Sequence, residues 1–143
     1  MFDKVMLAWD GSENAALACK VAYDLVRHYN ARLVAVSVTH APEHTELPGE
    51  KERALEEARA FYARKLEPLV QESKGGEVAL EHKVISGGHP AEALIEYARH
   101  EAFDLIVIGR RGMGRSSWFR IGSVSDRVAR YAHCPVMVVG RGE

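Results

Sequence analysis

The sequence predicts an α/β fold, namely one doubly wound, five-stranded parallel sheet with helices on both faces, for which we consider the strand order 3-2-1-4-5. Short apolar runs alternate with longer segments of helical periodicity along all 143 residues. Connections of this length join parallel strands through helices. Most of the apolar runs are continuous, which is typical of strands that are buried on both faces. We therefore expect a single domain over residues 1–143.

The first strand is predicted over Val5 to Trp9, an unbroken apolar run. Ser12 is expected to cap a helix that runs to about Tyr29, because a serine oxygen can accept from the free N–H groups of a first turn. The apolar residues of this helix recur at helical spacing, and they predict one inward stripe made of Ala18, Val21, Ala22, Leu25 and Tyr29. The second strand is predicted over Leu33 to Val38.

A polar, proline-containing loop, His40 to Gly49, separates the second strand from a helix that is predicted over Glu50 to about Lys74. Pro68 is expected to kink or shorten the last turns of that helix. The third strand, Val78 to Ile85, alternates apolar and polar residues, and this alternation predicts an edge position. The third helix is predicted to begin at Pro90, near its first position, and to run to about Glu101.

The fourth strand is predicted over Leu105 to Ile108, and the fourth helix over Ser123 to Ala132 with Ser123 as its cap. The last strand, Val136 to Val139, is apolar throughout and lies at the other edge of the sheet in the predicted order. An open apolar edge promotes aggregation, and natural proteins pair or protect it. We therefore expect a homodimer in which two copies pair through this strand.

Charge and composition exclude several functional classes. The formal net charge of −1 with 47% hydrophobic residues argues for a soluble globular protein and against nucleic-acid binding through bulk charge. No apolar stretch approaches the length of a membrane span, and the first residues resemble the start of a strand more than a signal peptide. Cys19 and Cys134 do not form a disulfide framework, so we expect a cytoplasmic protein. From the charge and the apolar runs together, we expect it to bind neither nucleic acid nor membrane.

A glycine-rich loop after the fourth strand is the main functional signal. Gly109 ends the strand, Gly112 follows, and Gly122 with Ser123 opens the next helix. A helix N-terminus offers unpaired N–H groups and a partial positive charge, and glycine lets a ligand approach the backbone closely. Glycines also occur in ordinary turns, so spacing alone leaves a purely structural role open. The predicted strand order favours phosphate binding, because it brings this loop beside Asp10 at the switch point of the sheet.

Other phosphate-binding folds lack their required residues here. The chain contains no G-x4-G-K-[ST] loop, and no G-x-G-x-x-G follows the first strand. A phospho-acceptor domain needs an acidic residue after the third strand, where the chain reads Ile85-Ser86-Gly87-Gly88. A flavodoxin needs a hydroxyl-rich loop after the first strand, which Trp9-Asp10-Gly11-Ser12-Glu13 does not supply.

Over essentially its whole length, the chain resembles the ATP-binding branch of the universal stress protein family. The most specific shared motif is G-x2-G-x9-G-[ST], met by Gly109, Gly112, Gly122 and Ser123. The first strand ending in Asp10-Gly11-Ser12 and the long loop after the second strand are further shared features. The resemblance implies the strand order 3-2-1-4-5, an ATP site and homodimers joined at the last strand. We predict a nucleotide-responsive regulatory module with at most slow ATP hydrolysis.

The resemblance also implies a set of site residues. Asp10 would contact the nucleoside end, Val38 would lie against adenine, and the glycine loop would line the ribose and phosphates. The expected nucleotide-binding residues are Ala8, Asp10, Val38, Gly109, Arg110, Gly112, Gly122, Ser123, Val124 and Ser125. Trp9 is a bulky departure from the family's pattern, and the sequence leaves open whether it crowds the site or packs against the base.

Metal and catalytic signals are weak. None of the seven histidines has both ligand-like spacing and a carboxylate or cysteine in register, so a Mg²⁺ ion that bridges the phosphates is favoured over a metal site built by the protein. No residue of the glycine loop is a clear general base, and no catalytic residue is assigned. An ATP-using hydrolase or nucleotidyl transferase on the same fold remains the alternative to a binding module.

Overall fold

The structure is a computed structural model that describes residues 1–40, 47–73, 78–111 and 121–141. Its sheet has five parallel strands in the order β3-β2-β1-β4-β5, as the sequence predicts. The strands are β1 (Lys4–Ala8), β2 (Arg32–Thr39), β3 (Leu80–Ser86), β4 (Leu105–Gly109) and β5 (Val136–Val139). In the described part of the chain, no helix is both long enough and apolar enough to cross a membrane.

Four helices cover the two faces of the sheet. They are α1 (Glu13–Tyr29), α2 (Glu50–Glu72), α3 (Pro90–His100) and α4 (Ser123–Tyr131). One core lies between the sheet and helices α1 and α2, and it includes Leu7, Cys19 and Leu66. A second core lies between the sheet and helices α3 and α4, and it includes Met6, Leu94 and Val128. Because successive strand residues point to opposite faces, each buried strand supplies both cores.

All of the predicted strands and helices are present, with ends that differ by no more than two residues. Helix α2 continues past Pro68 to Glu72, so the proline does not end the helix. The prediction that Ser123 caps the fourth helix is wrong, because Gly122 is the N-cap and Ser123 is the first helical residue. Tyr29 was also expected to face inward, but 36% of it is exposed, and it packs edge-on against Phe2 near the surface.

The sheet leaves a step at the carboxyl end of its central strand. Strand β1 stops at Ala8, which pairs with Val36, while β2 runs on to Thr39. Strand β4 likewise continues to Gly109 on the other side. The step lies where the chain winding reverses direction, since β1 leads to β2 on one side while β4 and β5 lie on the other. Ligands of open α/β sheets bind at such a place.

Candidate functional site

The candidate site is formed where the chain leaves β1, at the step in the sheet. Asp10 is half-buried, and its Oδ1 accepts a hydrogen bond from the Ser12 backbone N–H at 2.9 Å. This contact makes a local turn that starts α1. The same turn needs Gly11, whose φ of +83° favours glycine. The Asp10 Oδ2 atom has no hydrogen-bond partner among the described residues.

Trp9 packs away from this opening. It is 3% exposed and belongs to the core beneath α1 and α2. Its indole Nε1–H donates to the Tyr62 carbonyl oxygen of α2 at 3.0 Å, so the polar part of the ring is satisfied inside the fold. Trp9 therefore holds α2 against the end of β1. This role differs from both possibilities that the sequence left open, namely crowding of the site and packing against the base.

Gly109 allows α1 to approach the end of β4. A Cβ at this position would lie 2.8 Å from the Asn14 carbonyl carbon and 2.9 Å from the Ala15 backbone nitrogen. These are backbone atoms in the first turn of α1, and they cannot move without moving the helix. The glycine that the sequence assigned to a phosphate loop thus has a packing role in the described structure. Its predicted contact with a nucleotide stays a prediction.

Helix α4 is tied to the residue that follows β4. The Arg110 carbonyl oxygen accepts from the Gly122 N–H at 2.7 Å and from the Ser125 hydroxyl at 2.6 Å. Ser125 is 2% exposed, and its hydroxyl also lies 3.1 Å from the Gly122 carbonyl oxygen. These bonds bring Gly109 and Gly122 to the same end of the sheet. The Arg110 side chain extends over Gly140, where an added Cβ would lie 2.8 Å from its Cδ.

The N-termini of α1 and α4 both lie at this end of the sheet, but their N-cap residues differ, since Ser12 offers a side-chain oxygen and Gly122 does not. In α1 the Ser12 hydroxyl accepts from the Ala15 N–H at 3.1 Å. In α4 the N-cap is Gly122, which has no side chain that could accept from the first turn. The N–H groups of Ser123 and Val124 precede the first helical hydrogen bond, which Asp126 N–H donates to Gly122. Such groups attract an anion.

The remaining predicted site residues line the side of the step that faces α3 and α4. Ala8 is buried in the core on that side, and Val38 is half-buried against it. Ser123 is exposed and Val124 half-buried at the start of α4. The structure therefore brings together the predicted residues of β1, β2, β4 and α4. Gly112 lies outside the described residues.

Sequence reasoning missed a buried polar cluster behind Trp9. Ser37 of β2 is fully buried, and its Oγ lies 2.7 Å from the Trp9 carbonyl oxygen and 3.0 Å from His82 Nε2 of β3. Burial, and then the positive charge of Arg59, lower the pKa of His82, which favours its neutral form. A single polar residue within the apolar run of β2 was the available signal, because buried serines need partners.

Lys65 of α2 also lies close to the turn after β1. A Cβ added to Gly11 would meet the Lys65 Cδ at 2.7 Å, so the lysine stem crosses this glycine. Its Nζ lies 5.3 Å from the centre of the Phe61 ring. The described residues contain no group of three His, Cys, Asp or Glu side chains that could hold a metal ion. What the geometry offers is a carboxylate oxygen and an open helix N-terminus on either side of a step in the sheet.

Comparison with known proteins identifies the family of this chain. The model of the universal stress protein family matches residues 1–140. A universal stress protein of Thermus aquaticus is 37% identical over 142 residues, covering 97% of this chain and 99% of that protein.

Solved structures share the fold. A universal stress protein in complex with cAMP aligns with a TM-score of 0.74 at 23% identity, over 96% of this chain and 97% of that chain. A universal stress protein family protein of Arabidopsis thaliana with AMP bound aligns with a TM-score of 0.65 at 20% identity, over 98% of this chain and 92% of that chain. The match to the family model and the Thermus aquaticus relative establish that the chain belongs to the universal stress protein family.

Proposed function

We propose that this protein is an adenine-nucleotide-binding regulatory module whose preferred ligand is ATP, with at most slow hydrolysis. The observation that carries the proposal is the open N-terminus of α4, which starts at Gly122 beside the ends of β1 and β4. It offers backbone N–H groups to phosphate without a competing side-chain cap. The family members solved with cAMP and with AMP support a nucleotide as the ligand class.

The other predicted residues complete the proposed site. The phosphates lie at the first turn of α4, Asp10 Oδ2 accepts from the nucleoside, and Val38 packs against the base. These roles follow from the family resemblance and from the positions of the three elements around the step. A Mg²⁺ ion that bridges the phosphates takes its ligands mainly from phosphate and water, since magnesium needs few protein ligands.

The test is a charge placed at the phosphate position without loss of the helix. Ser123→Asp puts a carboxylate in the first turn of α4, where its charge interacts favourably with the helix dipole but repels phosphate. At a few ångströms near a surface this repulsion costs on the order of 1–4 kcal/mol, so ATP affinity falls about fivefold or more. Ser123→Asn is the neutral control of similar shape. Adenosine, which has no phosphate, should bind both variants and the wild type alike.

Isothermal titration of the wild type with ATP, ADP, AMP, adenosine and the guanosine counterparts gives the reference affinities. Mass spectrometry of nucleotides released from freshly purified, denatured protein identifies what the cell supplies. Equal ATP affinity in Ser123→Asp and Ser123→Asn would show that the phosphates do not bind at the first turn of α4. A wild type that binds none of these compounds would reject the proposed function altogether.

A further inference from the structure

Three polar groups from three neighbouring strands meet behind the end of β1. The Ser37 hydroxyl lies 2.7 Å from the Trp9 carbonyl oxygen and 3.0 Å from His82 Nε2. A carbonyl oxygen only accepts, so the single hydroxyl proton of Ser37 is donated to Trp9. His82 must then carry its proton on Nε2 and donate it to Ser37 Oγ. The cluster is thus a directed chain of hydrogen bonds from His82 through Ser37 to Trp9.

This chain acts at the residue where β1 leaves the sheet. The Trp9 N–H still donates to the Val36 carbonyl oxygen at 2.9 Å, as in a regular parallel ladder. In a continuing ladder, a main-chain N–H of β2 would donate to the Trp9 carbonyl. Here the Ser37 side chain donates to that carbonyl, which lets the backbone turn out of the sheet while the buried oxygen stays paired.

The orientation of the Trp9 carbonyl sets the direction of Asp10. The carbonyl of Trp9 and the N–H of Asp10 belong to one planar peptide unit, so a bond that fixes the first also fixes the second. The indole bond from Trp9 to Tyr62 restrains the same residue from its side chain. Asp10 Oδ1 is then bonded to the Ser12 N–H at 2.9 Å, and Oδ2 is the atom offered to a ligand.

We propose that Ser37 and His82 are positioning residues that aim the Asp10 carboxylate at the nucleoside. Neither needs to touch the ligand, because Ser37 is fully buried. By strand alternation, Ser37 and His82 lie on the same side of the sheet as Leu33 and Leu80, which pack toward α1 and α2. The inference rests on the proposed function, since it gives these two residues a role in nucleotide binding at the same site. Its consequence is that a buried hydrogen bond controls affinity through Asp10 alone.

The experiment is a double-mutant cycle between Ser37 and Asp10, read by titration with adenosine and AMP. Ser37→Ala removes the donor to Trp9, and adenosine affinity is expected to fall about 5- to 30-fold, as for one lost polar contact. Asp10→Asn keeps an Oδ1 acceptor for Ser12 but replaces the ligand-facing oxygen by an amide. If Ser37 acts by aiming Asp10, the double variant binds adenosine no more weakly than Asp10→Asn alone.

His82 supplies a second, independent comparison. His82→Gln retains an N–H donor near the Nε2 position and is expected to keep near wild-type affinity, whereas His82→Leu loses the donor and weakens adenosine binding. Leu33→Val is the control for general destabilisation, because Leu33 is buried on the same side of β2 but at its other end. That variant should unfold more easily while it binds adenosine normally.

The outcomes separate the two proposals. Additive effects of Ser37→Ala and Asp10→Asn, or equal affinity in His82→Gln and His82→Leu, would overturn the positioning role while the nucleotide site stands. A wild type that binds neither adenosine nor AMP would overturn both. If Ser37→Ala does not fold, the cycle of His82→Leu with Asp10→Asn gives the same test, with non-additivity expected and additivity refuting the role.

Discussion

Asp10 uses one carboxylate oxygen in the fold, and we propose that the other contacts the ligand. Its Oδ1 holds the turn through the Ser12 N–H, and Oδ2 has no partner among residues 1–40, 47–73, 78–111 and 121–141. Substitution by alanine would remove the observed structural role and the proposed ligand contact together. Asparagine separates them, because it retains an oxygen for the turn and loses the charge.

We expect Asp10→Asn to weaken both adenosine and ATP by about 1–3 kcal/mol, the usual effect of losing a hydrogen bond to a charged group. Both ligands are affected because the contact is assigned to the nucleoside that they share. Isothermal titration measures the two affinities, and Asp24→Asn on the exposed face of α1 controls for the loss of one negative charge. A variant that loses ATP affinity but keeps adenosine affinity would instead place Asp10 at the phosphates or a metal.

At the scale of elements, α1 packs against β4 through a glycine that no other residue can replace without displacement. Gly109 faces the backbone of Asn14 and Ala15, where an added Cβ would come within 3.0 Å. The contact explains how the N-terminus of α1 and the end of β4 come to lie beside one another. The candidate site depends on this packing, because its two sides are built on these elements.

Gly109→Ala is accordingly expected to lower the free energy of unfolding by about 1–3 kcal/mol, as overpacking of a dense interior does. Urea denaturation followed by circular dichroism measures the change. Gly88→Ala is the matched control, because an added Cβ there meets nothing within 4 Å. Equal stability of the two variants would show that α1 does not approach β4 as closely as the structure indicates.

The sequence predicts the elements of this fold well because burial on one or two faces imposes a period that can be read from apolar residues. The parallel sheet followed from the connections, its strand order from the family resemblance, and the edge position of β3 from its alternation. Contacts between elements were not predictable in the same way. The capping role of Gly122 depends on the Arg110 carbonyl, and the Ser37–His82 bond depends on the register of β2 with β3. Both arise only after the chain has packed.

The same distinction holds for the site. The spacing of Gly109, Gly122 and Ser123 predicted a strand end followed by a helix start, because glycines and a helix start are local features of the sequence. Two contacts could not be predicted from the sequence: the packing of Gly109 against α1, and the hydrogen bond from the Ser125 hydroxyl to the Arg110 carbonyl oxygen. In each case the partner is a backbone group that is distant along the chain. Whether Gly112 contributes lies outside the described residues.

At the scale of the whole molecule, β5 is an edge strand with an apolar surface. It pairs with β4 on one side only, at the end of the sheet order. Val136 and Val138 pack toward the α3 and α4 core, while Met137 remains 37% exposed. An open apolar edge is a site for pairing with another chain. We propose that two copies pair antiparallel through β5 across a twofold axis, as the sequence led us to expect.

The test of the dimer needs a charge at this edge that leaves the core intact. Val138→Lys would bury its charge in the α3 and α4 core and confound folding with assembly, whereas Met137→Lys extends from an already exposed position. We expect Met137→Lys to be folded but monomeric, because paired copies would bring two lysines close together across the axis. Ala60→Lys on the exposed face of α2 adds the same charge elsewhere and should leave the dimer intact.

Light scattering and sedimentation at several protein concentrations measure the mass of the wild type and of both variants. A wild type that stays monomeric at high concentration would refute the dimer, and a dimeric Met137→Lys would move its interface away from β5.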